Sequence, residues 1–282
     1  MPDPSTSLTR RTFVAAALAS GAAVAVGRPA DASPAESPDR ERADHPDVAP
    51  LTIVLVHGAF ADGSSWSPVL EILQKEHPFP AVAVQLSLRT LADDAAVLRG
   101  RLLRIPGPKI VVAHSYGGAV ISEADYSGTD VRGLVYLAAY APAIGESLLG
   151  LNATFLPLPA ADPQNTLVDL DNAELIMSPS AFVRYFCPDI PRRRATVLAA
   201  VQRPIGFGAG GAPLTRAAWT ELPTWYQVSS NDQIVQPDLQ RMLAERMPNL
   251  RERIELAVSH ASLISRPNDV ARFIARAARS SL

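Results

Sequence analysis

Residues 109–124 read KIVVAHSYGGAVISEA, and the parsing of this stretch decides the fold. Residues 110–113 are a short apolar run of strand type. His114-Ser115-Tyr116-Gly117-Gly118 then predicts a tight corner, and residues 119–124 are amphipathic with helical spacing. A buried strand, a sharp turn and a helix put Ser115 at the tip of the corner in strained backbone geometry. Its Oγ points off the sheet, and the N-terminus of the next helix lies behind it. This arrangement is a nucleophile elbow. The usual pattern is G-x-S-x-G, and here Ala113 replaces the first glycine. One extra methyl is a small departure. A side chain at Gly117 would collide with the neighbouring strand as the chain turns back.

Outward from the elbow, the same rhythm recurs. Residues 51–56 (LTIVLV) form a strand that runs into a Gly-bearing loop, His57-Gly58-Ala59-Phe60, and a helix over 68–75 follows. Further strands are expected at 81–86 and 131–138, with a helix at 91–103. Strands alternating with helices at this spacing predict an α/β fold with a mostly parallel, doubly wound sheet. The rhythm stops between Tyr140 and Pro213, where Pro, Leu and Phe are common and helical pieces fall near 179–186 and 192–202. Residues 141–213 are therefore expected to be a helical cap inserted after the fourth recognisable strand, over the carboxyl edge of the sheet. Strands resume at 224–229 and 253–257, with helices at 239–247 and 269–278.

The amino-terminal 50 residues read differently. Thr9-Arg10-Arg11-Thr12-Phe13-Val14 matches a twin-arginine pattern, and a moderately apolar run over 14–26 follows, with small residues at Ala30-Asp31-Ala32. Residues 1–32 are expected to be an export signal, giving a secreted or periplasmic protein. The run is too short and too rich in Ala and Gly for a stable membrane anchor. Residues 33–50, rich in Pro and charge, read as a flexible linker. The globular domain is expected over 51–282.

The chain has 282 residues, long enough for one large domain or two small ones, and 48% are apolar, enough for a sizeable core. Lys and Arg number 26 against 28 Asp and Glu, so nothing in the charge points to a nucleic-acid partner. Cys187 is the sole cysteine and has no internal disulfide partner. The sequence shows no metal-ligand cluster, and no metal or cofactor is expected.

A serine hydroxyl needs a base, and the base needs an orienting group. Of five histidines, His45 lies in the linker and His77 follows the first helix on the far side. His57 and His114 sit at strand ends, where loop-fixing hydrogen bonds are the expected role. His260, in the loop after the last strand, is the candidate base. The acid is expected on another strand-end loop ahead of it, which selects Asp232 in Ser229-Ser230-Asn231-Asp232. The alternative loop at 138–142 has no carboxylate. The backbone N–H of Tyr116 and that of Ala59, with Phe60 second, are the expected oxyanion donors. Phe60 and Trp66 from the first loop, and Phe155 and Phe182 from the cap, are candidate substrate-binding side chains. Leu156, Leu158, Tyr185 and Phe186 could share in the same apolar pocket.

Val56-His57-Gly58-Ala59, Trp66, Ala113-His114-Ser115-Tyr116-Gly117-Gly118, Asp232 and Ser259-His260-Ala261 together resemble the α/β-hydrolase superfamily. The resemblance is strongest to small bacterial esterase-like members, themselves similar to the plant methyl-esterase and hydroxynitrile-lyase group, and it spans residues 51–282. It implies Ser115 as nucleophile, His260 as base and Asp232 as its partner, acting on a small-molecule ester or lactone without a cofactor. Ala261 stands where hydroxynitrile lyases carry lysine, which favours hydrolysis. A cofactor-free perhydrolase or haloperoxidase would use the same three residues. A non-catalytic secreted binding protein on this fold is a third reading. The sequence leaves the oligomeric state open.

Overall fold

The computed structural model describes residues 49–282. The expected export signal, and the expected linker up to residue 48, lie outside the described residues. Six strands form the main sheet: β1 (Thr52–Val56), β2 (Ala81–Val84), β3 (Lys109–His114), β4 (Val131–Leu137), β8 (Thr224–Ser229) and β9 (Leu250–Leu256). Their order is β2-β1-β3-β4-β8-β9, and every adjacent pair is parallel. The chain goes from β1 outward to β2, then crosses back to lay β3 on the other side of β1. That reversal opens a crevice at the carboxyl ends of β1 and β3, where ligands meet open α/β sheets. Val56 pairs with Ala113, so His57-Gly58 continues beside His114-Ser115.

Alternation along the strands explains why helices cover both faces. Ile53, Leu55, Ile110, Val112, Val135 and Leu137 face one layer, against α1 (Ser67–Glu76) and α9 (Pro267–Arg279). Val54, Val56, Val111, Ala113, Leu134 and Tyr136 face the other, against α2 (Leu91–Leu102), α3 (Gly117–Glu123) and α8 (Pro237–Glu245). Each fully buried Val, Leu or Ile stabilises by about 1.5–3 kcal/mol. β3 is buried along its whole length, so the corner that follows it is set in the most rigid part of the sheet. β9 begins three residues earlier than expected. It is an edge strand in which half-buried Leu250, Glu252, Ile254 and Leu256 alternate with exposed residues, and its charged positions disguise it.

The insertion after β4 holds helices, as expected: α4 (Leu148–Asn152), α5 (Pro179–Ala181) running into a π-type turn at Phe182–Phe186, α6 (Arg192–Ala200) and α7 (Phe207–Gly211). It also contains a three-stranded antiparallel sheet that the sequence reading lacked, formed by β5 (Thr166–Asp169), β6 (Glu174–Met177) and β7 (Ile205–Gly206). The two stems of the cap are clasped together. Gly145 N–H donates to Leu214 O at 2.8 Å, and Leu214 N–H to Glu146 O at 2.9 Å. Arg246 of the main domain grips Glu146 through both guanidinium nitrogens at 2.9 and 2.7 Å and lies over the Trp219 ring. A bidentate pair of this kind holds both distance and orientation.

Candidate active site

Ser115 sits between β3 and α3 with φ of 55°, a left-handed conformation that costs a non-glycine residue about 1–3 kcal/mol. The surrounding hydrogen bonds hold it there. Its N–H donates to Leu137 O, and its carbonyl accepts from Gly118 N–H at 2.9 Å and Tyr140 N–H at 3.1 Å. The adjacent glycines are required by space. A Cβ at Gly117 would stand 2.7 Å from the carbonyl oxygen of His57 and 2.9 Å from that of Val56, and one at Gly118 would strike Tyr140 O. Gly58 makes room for the serine itself, since a Cβ there would lie 2.8 Å from Ser115 Cβ.

Two further strand-end loops converge on this corner. His260 Nε2 lies 2.8 Å from Ser115 Oγ, and His260 Nδ1 lies 2.7 Å from Asp232 Oδ2. Both His260 and Asp232 are buried. The carboxylate is satisfied on every side: Oδ1 accepts the N–H groups of Ile234 and Val235 at 2.8 and 3.1 Å, and Oδ2 accepts Gln240 Nε2–H at 2.8 Å. With Asp232 accepting at Nδ1, the neutral imidazole carries its proton there and turns an unprotonated Nε2 towards the serine. The imidazole is wedged between Phe186, edge-on at 4.8 Å, and His114 at 4.6 Å. Ser259, just before it, is held from the cap by Asp189, which accepts both its N–H and its hydroxyl.

His57 and His114 have other partners. His57 Nε2 accepts Leu86 N–H at 3.0 Å, and Nδ1 donates to Gly58 O at 2.9 Å. His114 Nε2 donates to His260 O at 2.9 Å, which props the loop carrying His260. Burial holds both rings below the usual histidine pKa. For His114 the nearby His260 adds to the effect, and the shift is large. A neutral His114 does not oppose positive charge on His260 4.6 Å away. The unfolded chain takes up these two protons near pH 6.5 while the folded chain refuses them. The contribution of these two groups to stability is therefore full above that pH and is lost as pH drops through it. Denaturant midpoints measured between pH 7.5 and 5.5 are expected to fall, and His114→Gln is expected to flatten the decline. A pH-independent midpoint across that range would contradict the assignment.

The expected oxyanion donors, the N–H groups of Tyr116 and Ala59 with Phe60 second, belong to residues that line a cavity beside Ser115. Among the described residues, none of these N–H groups donates to a protein acceptor. Phe60 has φ of 62°, an outlier for a bulky side chain. The Tyr116 hydroxyl donates to Asp94 Oδ2 at 2.8 Å. Asp94 Oδ1 meanwhile accepts Ser87 N–H, Ser87 Oγ–H and Leu88 N–H. This buried carboxylate therefore ties the residue after the serine to the loop leaving β2. Sequence reasoning passed over Asp94, Gln240 and Asp189. Asp94 shares the buried stripe of α2 with Leu91 and Leu98, and Gln240 shares that of α8 with Leu243 and Ala244. A polar residue in an apolar stripe is the signal that could have found both. Asp189 carries no such mark.

Of the four candidate substrate-binding residues, the structure brings two to the site. Phe60 and Phe182 line cavities there. Trp66 does not. It caps α1 and is fully buried under the sheet with Leu51, Val69 and Phe273, so its size serves the core. Phe155 is also a correction: it packs half-buried against the main core and lines neither cavity. Phe186, stacked on Phe182 at 4.5 Å, stands over His260 in its place. Among the described residues, no group of three or more His, Cys, Asp or Glu side chains is arranged to hold a metal ion.

A model of the alpha/beta hydrolase family matches residues 53–273. The chain belongs to the alpha/beta hydrolase family. Among curated α/β-hydrolase relatives it is similar to alpha/beta hydrolase nvfD of Aspergillus novofumigatus, at 26% identity over 82% of this chain and 97% of that one. It is also similar to a pyrethroid hydrolase of Sphingobium wenxiniae, at 27% identity over 79% of this chain and 86% of that one. The crystal structure of polyneuridine aldehyde esterase superposes with a TM-score of 0.69 at 17% identity, over 81% of this chain and all of the other. It shares the fold.

Proposed function

We propose that this α/β-hydrolase cleaves carboxylic esters or lactones through an acyl-enzyme on Ser115. The observation that carries the reading is the continuous chain from Ser115 Oγ to His260 Nε2 at 2.8 Å and from His260 Nδ1 to Asp232 Oδ2 at 2.7 Å. It lies at a strained corner lining a cavity. Ser115 Oγ attacks the carbonyl carbon as His260 Nε2 takes its proton. The N–H groups of Tyr116 and Ala59 receive the negative charge that develops on the carbonyl oxygen. His260 returns the proton to the leaving alcohol, and Ser115 keeps the acyl group. A water then attacks the acyl-enzyme with His260 again as base, releasing the acid and restoring the serine. Asp232 holds the imidazole in the tautomer this cycle needs and steadies the imidazolium.

The kinship with a protein named as a pyrethroid hydrolase and the fold shared with a plant esterase support ester cleavage as the reaction class. Export rests on the arginine pair at Arg10-Arg11 ahead of an apolar run. The test is labelling by a fluorophosphonate probe. One equivalent is expected on Ser115, found by peptide mass spectrometry, with loss of p-nitrophenyl ester turnover in step with labelling. An unlabelled Ser115 in folded protein would refute the proposal and favour a binding role.

A further inference from the structure

We infer that the substrate is an ester whose two halves divide across Phe60 and Phe186, with a larger apolar acyl group on one side and a compact alcohol on the other. This rests on the proposed acyl-enzyme and gives its substrate class. Two cavities, of about 280 and 110 Å³, adjoin the site, and Phe60 and Phe186 line both.

The larger chamber touches Ser115, Tyr116 and Ala59, and its walls include Leu148, Leu175 and Ile205. Its tyrosine hydroxyls are already engaged: Tyr140 Oη–H donates to Asn152 Oδ1 at 3.0 Å, and the Tyr116 hydroxyl donates to Asp94. An apolar group gains by burial against these walls, whose tyrosine hydroxyls are already paired. The smaller chamber touches His114 and Ala261, the chain neighbours of Ser115 and His260, and has a polar end at Asp62, Ser64 and Arg194.

Stereochemistry then assigns the halves. The carbonyl oxygen must face the N–H groups on the Ser115 side. The leaving oxygen must come within hydrogen-bond reach of His260 Nε2 to be protonated. The group attached to that oxygen therefore extends beside the histidine, into the smaller chamber. The acyl group stays on Ser115 in the larger one.

Two blocking variants separate the chambers. Leu175→Trp narrows the larger and Leu198→Trp the smaller, with Leu175→Phe and Leu198→Phe as milder versions should the first pair fold poorly. One missing methylene contact is commonly worth about tenfold or more in kcat/KM. Leu175→Trp is expected to lower the octanoate-to-acetate ratio of kcat/KM by at least tenfold and to change the deacylation rate constant. Leu198→Trp is expected to lower kcat/KM for butyl hexanoate relative to methyl hexanoate by at least tenfold. It should leave deacylation of the common hexanoyl-enzyme unchanged, because the alcohol has already departed. The opposite pattern, or both variants acting on the same half, overturns the assignment. Failure of the catalytic reading looks different: no ester is turned over and Ser115 takes no phosphonate, and this inference falls with it.

Discussion

Ser115→Ala is expected to lower kcat for an ester by about six orders of magnitude, and His260→Ala by a similar amount. The double variant should be no worse than either, because the two side chains act as one unit. Among the described residues, the Ser115 hydroxyl is the one group placed both on the cavity wall and 2.8 Å from the unprotonated nitrogen of the His260 imidazole. Alanine keeps the Cβ that Gly58 accommodates, and at φ of 55° it bears much the same strain as serine. The fold should therefore survive, with circular dichroism unchanged and Tm shifted by only a few degrees. Single-turnover and steady-state assays on purified variants provide the measurement. More than a hundredth of the original rate in Ser115→Ala, free of contaminating esterase, would sink the mechanism.

Asp232→Asn is expected to cost about four orders of magnitude in kcat, with a loss of stability that Ser115→Ala does not show. The carboxylate accepts from four donors: the N–H groups of Ile234 and Val235, Gln240 Nε2–H and His260 Nδ1–H. An amide has one oxygen. If that oxygen serves the two backbone donors, the amide nitrogen faces Gln240 and His260. His260 must then accept at Nδ1 and move its proton to Nε2, where it can no longer take the serine proton. If the amide is reversed, two buried N–H groups lose their acceptor, at about 1–3 kcal/mol each. Either way a buried donor clashes or goes unpaired, so the denaturant midpoint should fall together with the rate. The residual rate should rise with pH as hydroxide substitutes for the missing base. Near-normal kcat in this variant would mean that Asp232 does not set the tautomer.

Sequence reasoning reached what local patterns encode. The apolar run before Ser115, the glycines after it and the return of strands at 224–229 are short-range features. Each was legible because β-strand burial and helix amphipathy leave a period in the chain. Asp232 and His260 are legible because a parallel sheet presents its strand-end loops on one edge, which narrows the candidates to those loops. The cap resisted. β5 has three exposed residues in four and β7 has only two residues. Neither carries an alternation strong enough to read, and both owe their pairing to the antiparallel neighbour β6. Trp66 and Phe155 show the other limit. Large apolar side chains are equally suited to a core and to a pocket, and only position in space separates the two.

The sequence alone therefore determined the fold class, the elbow at Ser115 and the short set of strand-end residues able to serve it. The tertiary structure decided how these are held. Asp94 anchors Tyr116, Gln240 completes the shell of Asp232, and Asp189 reaches from the cap to Ser259, 70 residues away. It also decided the wall of Phe60 and Phe186 between two chambers. Period and propensity act over a few residues, whereas a hydrogen bond or a cavity wall between distant segments exists only once the whole chain has closed around it.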